Sequence, residues 1–281
     1  MTGFITALAE HAFLRQAVLA GLLASVACGI VGTYVVTRRI TVIAGSLAHT
    51  VLGGMGAAYY LRAAQGWQWL HPLHGAVAAA LLGAGLIGLV RARSREREDT
   101  VISALWAVGM AVGVFFLFKT PGYKADLITY LFGNIVMVDP VALRLLIGLD
   151  LVILLLVLVF YNPLLAVCFD EEFARLRGVR VGWLYTLLLM LIALTIVTLV
   201  YVVGIVMVIA LVTLPASVAG LFVRRLWPTM VLAAALSSVL TVAGLGISYG
   251  ADLPAGATIV LLTGLVYATA QLAAGLGRRR P

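Results

Sequence analysis

Residues 141–160 read VALRLLIGLDLVILLLVLVF, a run in which charged side chains occur only at Arg144 and Asp150. A helix that crosses a bilayer needs about 20 mostly apolar residues, and this run supplies them. Its apolar side chains are continuous rather than alternating with a period of two, which favours a helix over a barrel strand. The run therefore predicts a membrane-spanning helix, since lipid offers the backbone no hydrogen-bond partners.

The same pattern recurs along the chain. Of the 281 residues, 63% are hydrophobic and 11% are charged, whereas an average soluble domain has about 25% charged residues. We detect no soluble domain and no internal repeat, so we treat residues 1–281 as one transmembrane domain and expect an all-α, polytopic helical bundle. Further runs that suit a span are Leu14–Val36, Leu73–Val90, Val101–Phe118, Met230–Tyr249 and Thr258–Leu276.

The basic residues give the chain a formal net charge of +8, but they do not form a patch on a soluble domain. We therefore expect membrane lipid around the chain and no nucleic-acid partner. Because cytoplasmic loops collect Lys and Arg, each arginine cluster predicts the inner end of a span. This pattern places the N-terminus outside and the C-terminus inside a bacterial cytoplasmic membrane. The clusters are Arg38–Arg39, Arg91–Arg97, Arg175–Arg180, Arg224–Arg225 and Arg278–Arg280.

The stretch Trp183–Val223 leaves the number of spans open at eight or nine. It is too long for one helix, and arginines flank both of its ends, so it must cross the membrane an even number of times. Gly204 and Pro215 are the predicted places for a turn or a broken helix, since glycine loosens the backbone and proline removes a helical hydrogen bond. The segment Asp126–Val138 fits either a re-entrant or an interfacial helix.

Ionisable side chains within spans are costly, and they are therefore candidate functional residues. His49 lies in the second span and Asp150 near the middle of the fifth, while Asp126 and Asp252 lie near the outer ends of spans. Imidazole and carboxylate suit zinc or manganese, so all four are candidate ligands along a translocation path. Structural alternatives stay open: the His49 imidazole hydrogen-bonded to a neighbouring helix, and the Asp150 carboxylate paired with a basic or hydroxyl group, which we favour for Asp150.

Two further histidines, His71 and His74, lie on the predicted outer loop before the third span. Histidines three residues apart are compatible with the capture of a metal ion at the outer mouth of a path. The spacing alone is a weak signal because Pro72 intervenes, and we favour the interpretation of two solvated loop histidines.

Nothing in the chain indicates an enzyme. It contains no phosphate-binding G-x-x-x-x-G-K-[ST] motif, so an ATP-driven step would require another chain. The polar inner stretch of residues 162–181 includes the amphipathic segment Asp170–Gly178, whose glycine can end a helix. Such a helix could dock into a groove of a partner, and an ordinary solvated loop is the alternative. The residues assigned to this contact are Asp170, Glu171, Glu172, Phe173, Arg175 and Gly178.

In several blocks, spread in the right order over nearly the whole chain, the sequence resembles the membrane subunits of ATP-binding-cassette importers for zinc and manganese. Each block alone is a weak match, and the ordered set makes the resemblance specific. The blocks are Gly32–Arg39 followed by Ser46–His49, Asp126–Ile135, Asp170–Gly178, Val203–Gly204 with Ala210–Ser217, and Asp252–Gly256.

This resemblance implies a permease that carries a divalent transition-metal ion into the cytoplasm and holds no permanent cofactor. It also implies a homodimer, with the translocation path at or beside the dimer axis. Two cytoplasmic ATPase subunits and an extracytoplasmic metal-binding protein are the implied partners. The segment Asp170–Gly178 would then be the coupling helix that meets an ATPase subunit.

One position departs from the family pattern. The family typically carries Asp four residues before the second-span histidine, a spacing that places both side chains on one helix face. Here Gly45 precedes His49, and we hypothesise that Asp150 or Asp252 supplies the missing oxygen ligand. With one carboxylate lost, the imidazole favours zinc as the cargo, with manganese or iron as the alternative.

Two other kinds of transport remain open at this stage. If the cargo is a metal chelate or a small organic cofactor, His49 is a structural residue. A secondary transporter driven by an ion gradient often shows inverted repeats and intramembrane acid relays. We find no repeat, and an ATPase partner explains the segment Asp170–Gly178 better.

Overall fold

The computed structural model describes residues 2–93, 98–120, 138 and 140–278. Over these residues the chain forms twelve α-helices and no β-strand, which confirms the predicted all-α fold. The helices are α1 (Thr2–Glu10), α2 (Ala12–Arg38), α3 (Thr41–Ala64), α4 (Pro72–Arg93), α5 (Glu98–Lys119), α6 (Pro140–Val159), α7 (Tyr161–Phe169), α8 (Glu171–Leu176), α9 (Val181–Val203), α10 (Ile205–Phe222), α11 (Leu226–Ala251) and α12 (Ala255–Arg278).

Eight of the described helices are long and apolar enough to cross a membrane. They are α2, α3, α4, α5, α6, α9, α11 and α12. The apolar part of α10, Val208–Phe222, is shorter than these spans. The predicted polytopic helical bundle is therefore confirmed. The segment Asp126–Val138, whose structure the sequence left open, lies outside the described residues except for Val138.

The long stretch Trp183–Val223 is divided at Gly204, one of the two positions that the sequence predicted. α9 ends at Val203 and α10 begins at Ile205, and Gly204 between them has φ 88° and ψ 166°. Only glycine adopts this region of backbone conformation readily, because a Cβ atom would clash there. The stretch therefore consists of two helices, of which only α9 is long and apolar enough to count among the eight described spans.

The other predicted break, Pro215, lies inside α10, which continues through it. Proline has no N–H group, so the carbonyl of Leu211, four residues earlier, loses its helical partner. The thiol of Cys28 on α2 donates a hydrogen bond to this Leu211 oxygen. A neighbouring helix thus replaces the missing donor, as is common for proline in membrane helices.

α9 forms the centre of the bundle and packs against α2, α3, α4, α6 and α10. Within its most apolar window, 78% of the residues are buried, whereas only 11% are buried in the window of α12. α5 and α6 are likewise mostly exposed along their lengths. The outer helices therefore present broad apolar faces to lipid or to another protein.

α3 and α5 form an extensive helix pair, and glycines allow their close approach. A Cβ atom at Gly53 would lie 2.9 Å from the carbonyl oxygen of Gly109, and one at Gly56 would lie 2.7 Å from that of Gly113. Small residues of this kind let backbones approach in membrane bundles. The pairing brings the face of α3 that carries His49 against α5.

Candidate functional site

His49 lies in the third turn of α3 and faces Trp106 on α5. Its imidazole is half-buried and stacks on the indole, with ring centroids 4.8 Å apart and planes inclined by 22°. The Nδ1 atom of His49 is buried and has no hydrogen-bond partner among the described residues. The sequence left open a structural role in which the imidazole is hydrogen-bonded to a neighbouring helix. Nδ1 makes no such bond to any residue that the structure describes.

Gly45 lies one helical turn before His49 and is covered by the same indole. A Cβ atom at Gly45 would lie 2.9 Å from Cδ1 of Ile209 on α10 and 3.0 Å from Cζ3 of Trp106. These distances are shorter than ordinary van der Waals contacts, so an aspartate at this position would displace at least one neighbour. The end of the Ile209 side chain and the indole of Trp106 thus both border the place where a side chain at position 45 would begin.

Asp150 is buried within α6, at 5% relative exposure. Neither of its carboxylate oxygens has a hydrogen-bond partner among the described residues, so the pairing that we favoured from sequence is not observed there. α6 packs against α2 and α9, whereas His49 contacts α5. Across the described part of the chain, no group of three His, Cys, Asp or Glu side chains could hold a metal ion. The oxygen-ligand role of Asp150 stays a prediction.

Asp252 is exposed in the turn that follows α11, with a left-handed backbone conformation at φ 52° and ψ 46°. Its backbone N–H donates to the carbonyl of Ser248, and the Ser248 hydroxyl donates to the carbonyl of Leu253 at 2.5 Å. These bonds close the turn between α11 and α12 and place Asp252 at a helix end. Asp126, the fourth candidate in the path, lies outside the described residues.

His71 and His74 cap the start of α4. Nδ1 of His71 accepts a hydrogen bond from the backbone N–H of Leu73, and Nδ1 of His74 accepts one from the backbone N–H of His71, each at 3.2 Å. With Pro72 at the first helical position, this is the reciprocal arrangement of a capping box, made here by two imidazoles. A neutral imidazole has one acceptor nitrogen, and the cap uses it in both residues, so metal capture would compete with the cap.

The segment Asp170–Gly178 contains the short helix α8 (Glu171–Leu176), so of the two structures that the sequence left open, the helix is the one observed. The Asp170 carboxylate accepts a hydrogen bond from the backbone N–H of Phe173 at 2.9 Å, which makes Asp170 the N-cap. Gly178 follows the helix with φ 76°, so glycine also ends it as expected. The exposed side chains on α8 include Phe173 and Leu176, and Leu176 is 87% exposed. Two large apolar side chains thus project from a charged surface helix.

The first residue of α8, Glu171, is tied to the spanning helices by arginines. It forms ion pairs with Arg38 at the end of α2 and with Arg91 in the last turn of α4. Arg91 also lies 3.5 Å from the Glu98 carboxylate on α5 and 3.8 Å above the Tyr185 ring of α9. One charged cluster at one end of the bundle therefore joins α8 to four spans.

The sequence did not reveal this cluster, since we used its arginines only as markers of the inner side. The sequence feature that could have indicated the cluster is a pair of acidic residues. Glu98 and Glu171 each begin a helix, and other helices end nearby in arginines. The Tyr185 hydroxyl completes the network with a 2.7 Å hydrogen bond to Glu98. The arginine pattern predicted that Arg38 and Arg91 lie on the same side of the membrane. In the structure the two residues meet at one end of the bundle, as that prediction requires.

A model of the ABC 3 transport family matches residues 10–274, nearly the whole chain. The chain belongs to this family. It is 39% identical over 262 residues to a probable metal transport system membrane protein of Chlamydia trachomatis, a match that covers 92% of this chain and 88% of that protein. It is 32% identical over 270 residues to the manganese transport system membrane protein MntC of Halalkalibacterium halodurans, with 96% and 90% covered.

The fold is also similar to a solved structure, that of PsaBC from Streptococcus pneumoniae in complex with Fab. The TM-score is 0.85 at 28% sequence identity, and the match covers 96% of this chain and 94% of that chain. With its eight long apolar helices, this member of the ABC 3 transport family is a multi-pass membrane protein. It is a membrane permease of the metal-importing ATP-binding-cassette type, which confirms the resemblance stated from sequence.

Proposed function

We propose that this permease moves manganese into the cytoplasm. The observation that carries the proposal is the Nδ1 atom of His49, a buried nitrogen without a hydrogen-bond partner on a spanning helix. An ionisable group in a span is expensive and marks a substrate path by default. The name of the Halalkalibacterium relative supports manganese as the ion, and this support is stronger than our preference for zinc from sequence.

Zinc is the second candidate, and one observation favours it. Gly45 supplies no carboxylate beside His49, and the indole of Trp106 and the side chain of Ile209 lie close to where a Cβ atom at this position would stand. An imidazole without a hard oxygen ligand suits zinc better than manganese. A transport site needs only transient binding, because the ion must also leave it.

We further propose that α8 is the helix through which a cytoplasmic ATPase subunit drives the permease. Its exposed Phe173 and Leu176 provide apolar contacts for a groove in the partner, and Glu171 links the helix to α2 and α4. The chain itself has no phosphate-binding loop, so ATP hydrolysis belongs to the partner. An extracytoplasmic metal-binding protein would deliver the ion at the opposite end.

The functional unit that we propose is a homodimer with two ATPase subunits in a bacterial cytoplasmic membrane. The mostly exposed apolar faces of α5 and α12 leave room for contacts with a second copy beside the lipid. A single imidazole per chain makes a poor ion site, and two chains would bring two copies of His49 to one path. Native mass spectrometry of the purified complex should show two permease chains and two ATPase chains, and a single permease chain would contradict the dimer.

The decisive experiment uses the permease co-expressed with its ATPase and reconstituted into liposomes with the extracytoplasmic binding protein. We expect manganese to stimulate ATP hydrolysis and to enter the liposomes, with zinc and iron tested in parallel. His49→Ala should abolish the stimulation, whereas His11→Ala, at an exposed histidine before α2, serves as the matched control. Stimulation by zinc alone would favour the second candidate, and no response to any of the three ions would refute metal import.

A further inference from the structure

Trp106 contacts the face of α3 at two positions one helical turn apart. Its indole stacks on His49 and also lies against Gly45, where it restricts the space for a side chain. Trp106 is half-buried and belongs to α5, so it reaches this face from a neighbouring helix. One side chain thus controls both positions at which the resemblance places the paired ligands of the family.

We propose that Trp106 is a positioning residue for the ion path, a proposal that rests on the proposed function. A metal-binding imidazole is usually oriented by a hydrogen bond from its second nitrogen to a carboxylate, a carbonyl or water. Nδ1 of His49 makes no such bond among the described residues, and the stacked indole holds the plane of the ring instead. Trp106 therefore performs by ring contact what a second polar partner performs elsewhere.

The same indole restricts position 45, together with the end of the Ile209 side chain on α10. Glycine leaves space for the ring, whereas a Cβ atom there would lie 3.0 Å from Cζ3 and 3.2 Å from Cη2 of Trp106. The indole is rigid and cannot shorten to make room for a carboxylate. Gly45 and Trp106 are therefore a complementary pair: the glycine leaves room for the indole and supplies no oxygen ligand, so His49 is the ion's contact on this face.

The pairing predicts a specific pattern in a double-mutant cycle. Gly45→Asp should impair ion transport in the presence of Trp106, because the two side chains compete for one space. In combination with Trp106→Ala, the same aspartate should fit beside His49, because the remaining close atom, Cδ1 of Ile209, is the end of a flexible side chain that can turn away. Uptake should then recover above that of either single variant. The recovered transporter should favour manganese over zinc relative to the wild type, since a hard carboxylate has been added.

If Trp106 orients His49, substitutions of Trp106 should change how ATP hydrolysis depends on the metal concentration. Trp106→Leu should raise the metal concentration for half-maximal ATP hydrolysis by about tenfold, the lower range for the loss of a group that orients a metal ligand, with little change in the maximal rate. Trp106→Phe should retain most of the affinity because it keeps a stacked ring. Phe116→Leu is the matched control, since it removes another aromatic contact between α3 and α5, that with Tyr60, without touching His49.

The experiment measures metal-stimulated ATP hydrolysis by the reconstituted complex, and melting temperatures of all cycle members in detergent. Gly45→Asp should lower the melting temperature when Trp106 is present and should lower it much less in the Trp106→Ala background. If the two substitutions shift the melting temperature additively, the pairing is overturned, even if no ion is transported. Coupled melting temperatures with additive transport effects would overturn the positioning role. If no metal stimulates ATP hydrolysis by the wild-type complex, the proposed function is refuted instead. Failure of the pairing and failure of the proposed function therefore give different results.

Discussion

Arg91 in the last turn of α4 donates hydrogen bonds from Nη2 to both carboxylate oxygens of Glu171, at 2.9 and 3.2 Å. Glu171 is the first residue of α8, so this contact joins the surface helix directly to a spanning helix. Ion pairs between partly exposed side chains contribute at most about 1 kcal/mol to stability, and their geometry matters more here than their energy. In the complex proposed above, this contact would link an ATPase subunit docked at α8 to the bundle.

Neutralising Glu171 should uncouple ATP hydrolysis from the metal. Glu171→Gln keeps the size of the side chain but removes the charge that Arg38 and Arg91 contact. We therefore expect the stimulation of ATP hydrolysis by the metal to fall about fivefold or more, which is the typical size of coupling between two sites. Glu172→Gln, at the exposed neighbouring position, is the control. Equal effects of the two substitutions in reconstituted complexes would contradict a special role for the cluster.

Truncating Leu176 should weaken binding of the ATPase without affecting the fold. The side chain is 87% exposed, so Leu176→Ser should change the melting temperature of the isolated permease very little. Loss of an exposed apolar anchor should reduce the amount of ATPase that co-purifies with the permease. Leu253→Ser, at an exposed leucine in the turn between α11 and α12, is the control. Undiminished co-purification of Leu176→Ser would argue against docking at α8.

The bond from the Cys28 thiol to the Leu211 carbonyl should stabilise the bundle where Pro215 interrupts the helical hydrogen bonds of α10. Cys28→Ala removes the donor and should cost about 1 kcal/mol, a typical value for a polar contact between membrane helices. Cys28→Ser keeps a donor and should lie closer to the wild type. Thermal unfolding in detergent measures the order of stability of the wild type and the two variants. If Cys28→Ser is no more stable than Cys28→Ala, the hydrogen bond is unimportant.

Cys168 in α7 should resist thiol reagents in the folded protein. Burial raises the pKa of its thiol to about 12, with the Arg38 guanidinium acting in the opposite direction. The reactive thiolate is therefore scarce at pH 8, and its fraction should rise about tenfold per pH unit towards that pKa. In a Cys28→Ser background, maleimide labelling should be slow until the protein is unfolded in detergent. An added Arg175→Cys, exposed on α8, should label quickly, and rapid labelling of Cys168 in the folded chain would contradict its burial.

Some local features could be predicted from sequence because each depends on one short segment. Gly178 was predicted to end α8, since a glycine with positive φ acts on its own helix, whereas the N-cap role of Asp170 was found only in the structure. Gly204 marked the break between α9 and α10 for the same reason. Pro215 did not break α10, because the chemistry that accommodates it comes from Cys28 on another helix. A local rule fails where a distant residue supplies the missing partner.

The candidate site could be predicted only in part. His49 was identified because an ionisable group in an apolar span is rare, and Gly45 because the family pattern expects an acid there. His71 and His74 were considered for metal capture, and the structure uses their nitrogens to cap α4. The unpartnered carboxylate of Asp150 was expected to be paired, and the described residues provide no such partner.

By itself, the sequence determined that this protein is a bundle of membrane helices, because the backbone of a long apolar run can satisfy its hydrogen bonds in lipid only within a helix. Only the tertiary structure decided which helix faces meet. Spans that are apolar all round carry no pattern that selects a partner face, so the contacts of Trp106 with Gly45 and His49, and of Arg91 with Glu171, depend on shape and charge brought together by packing.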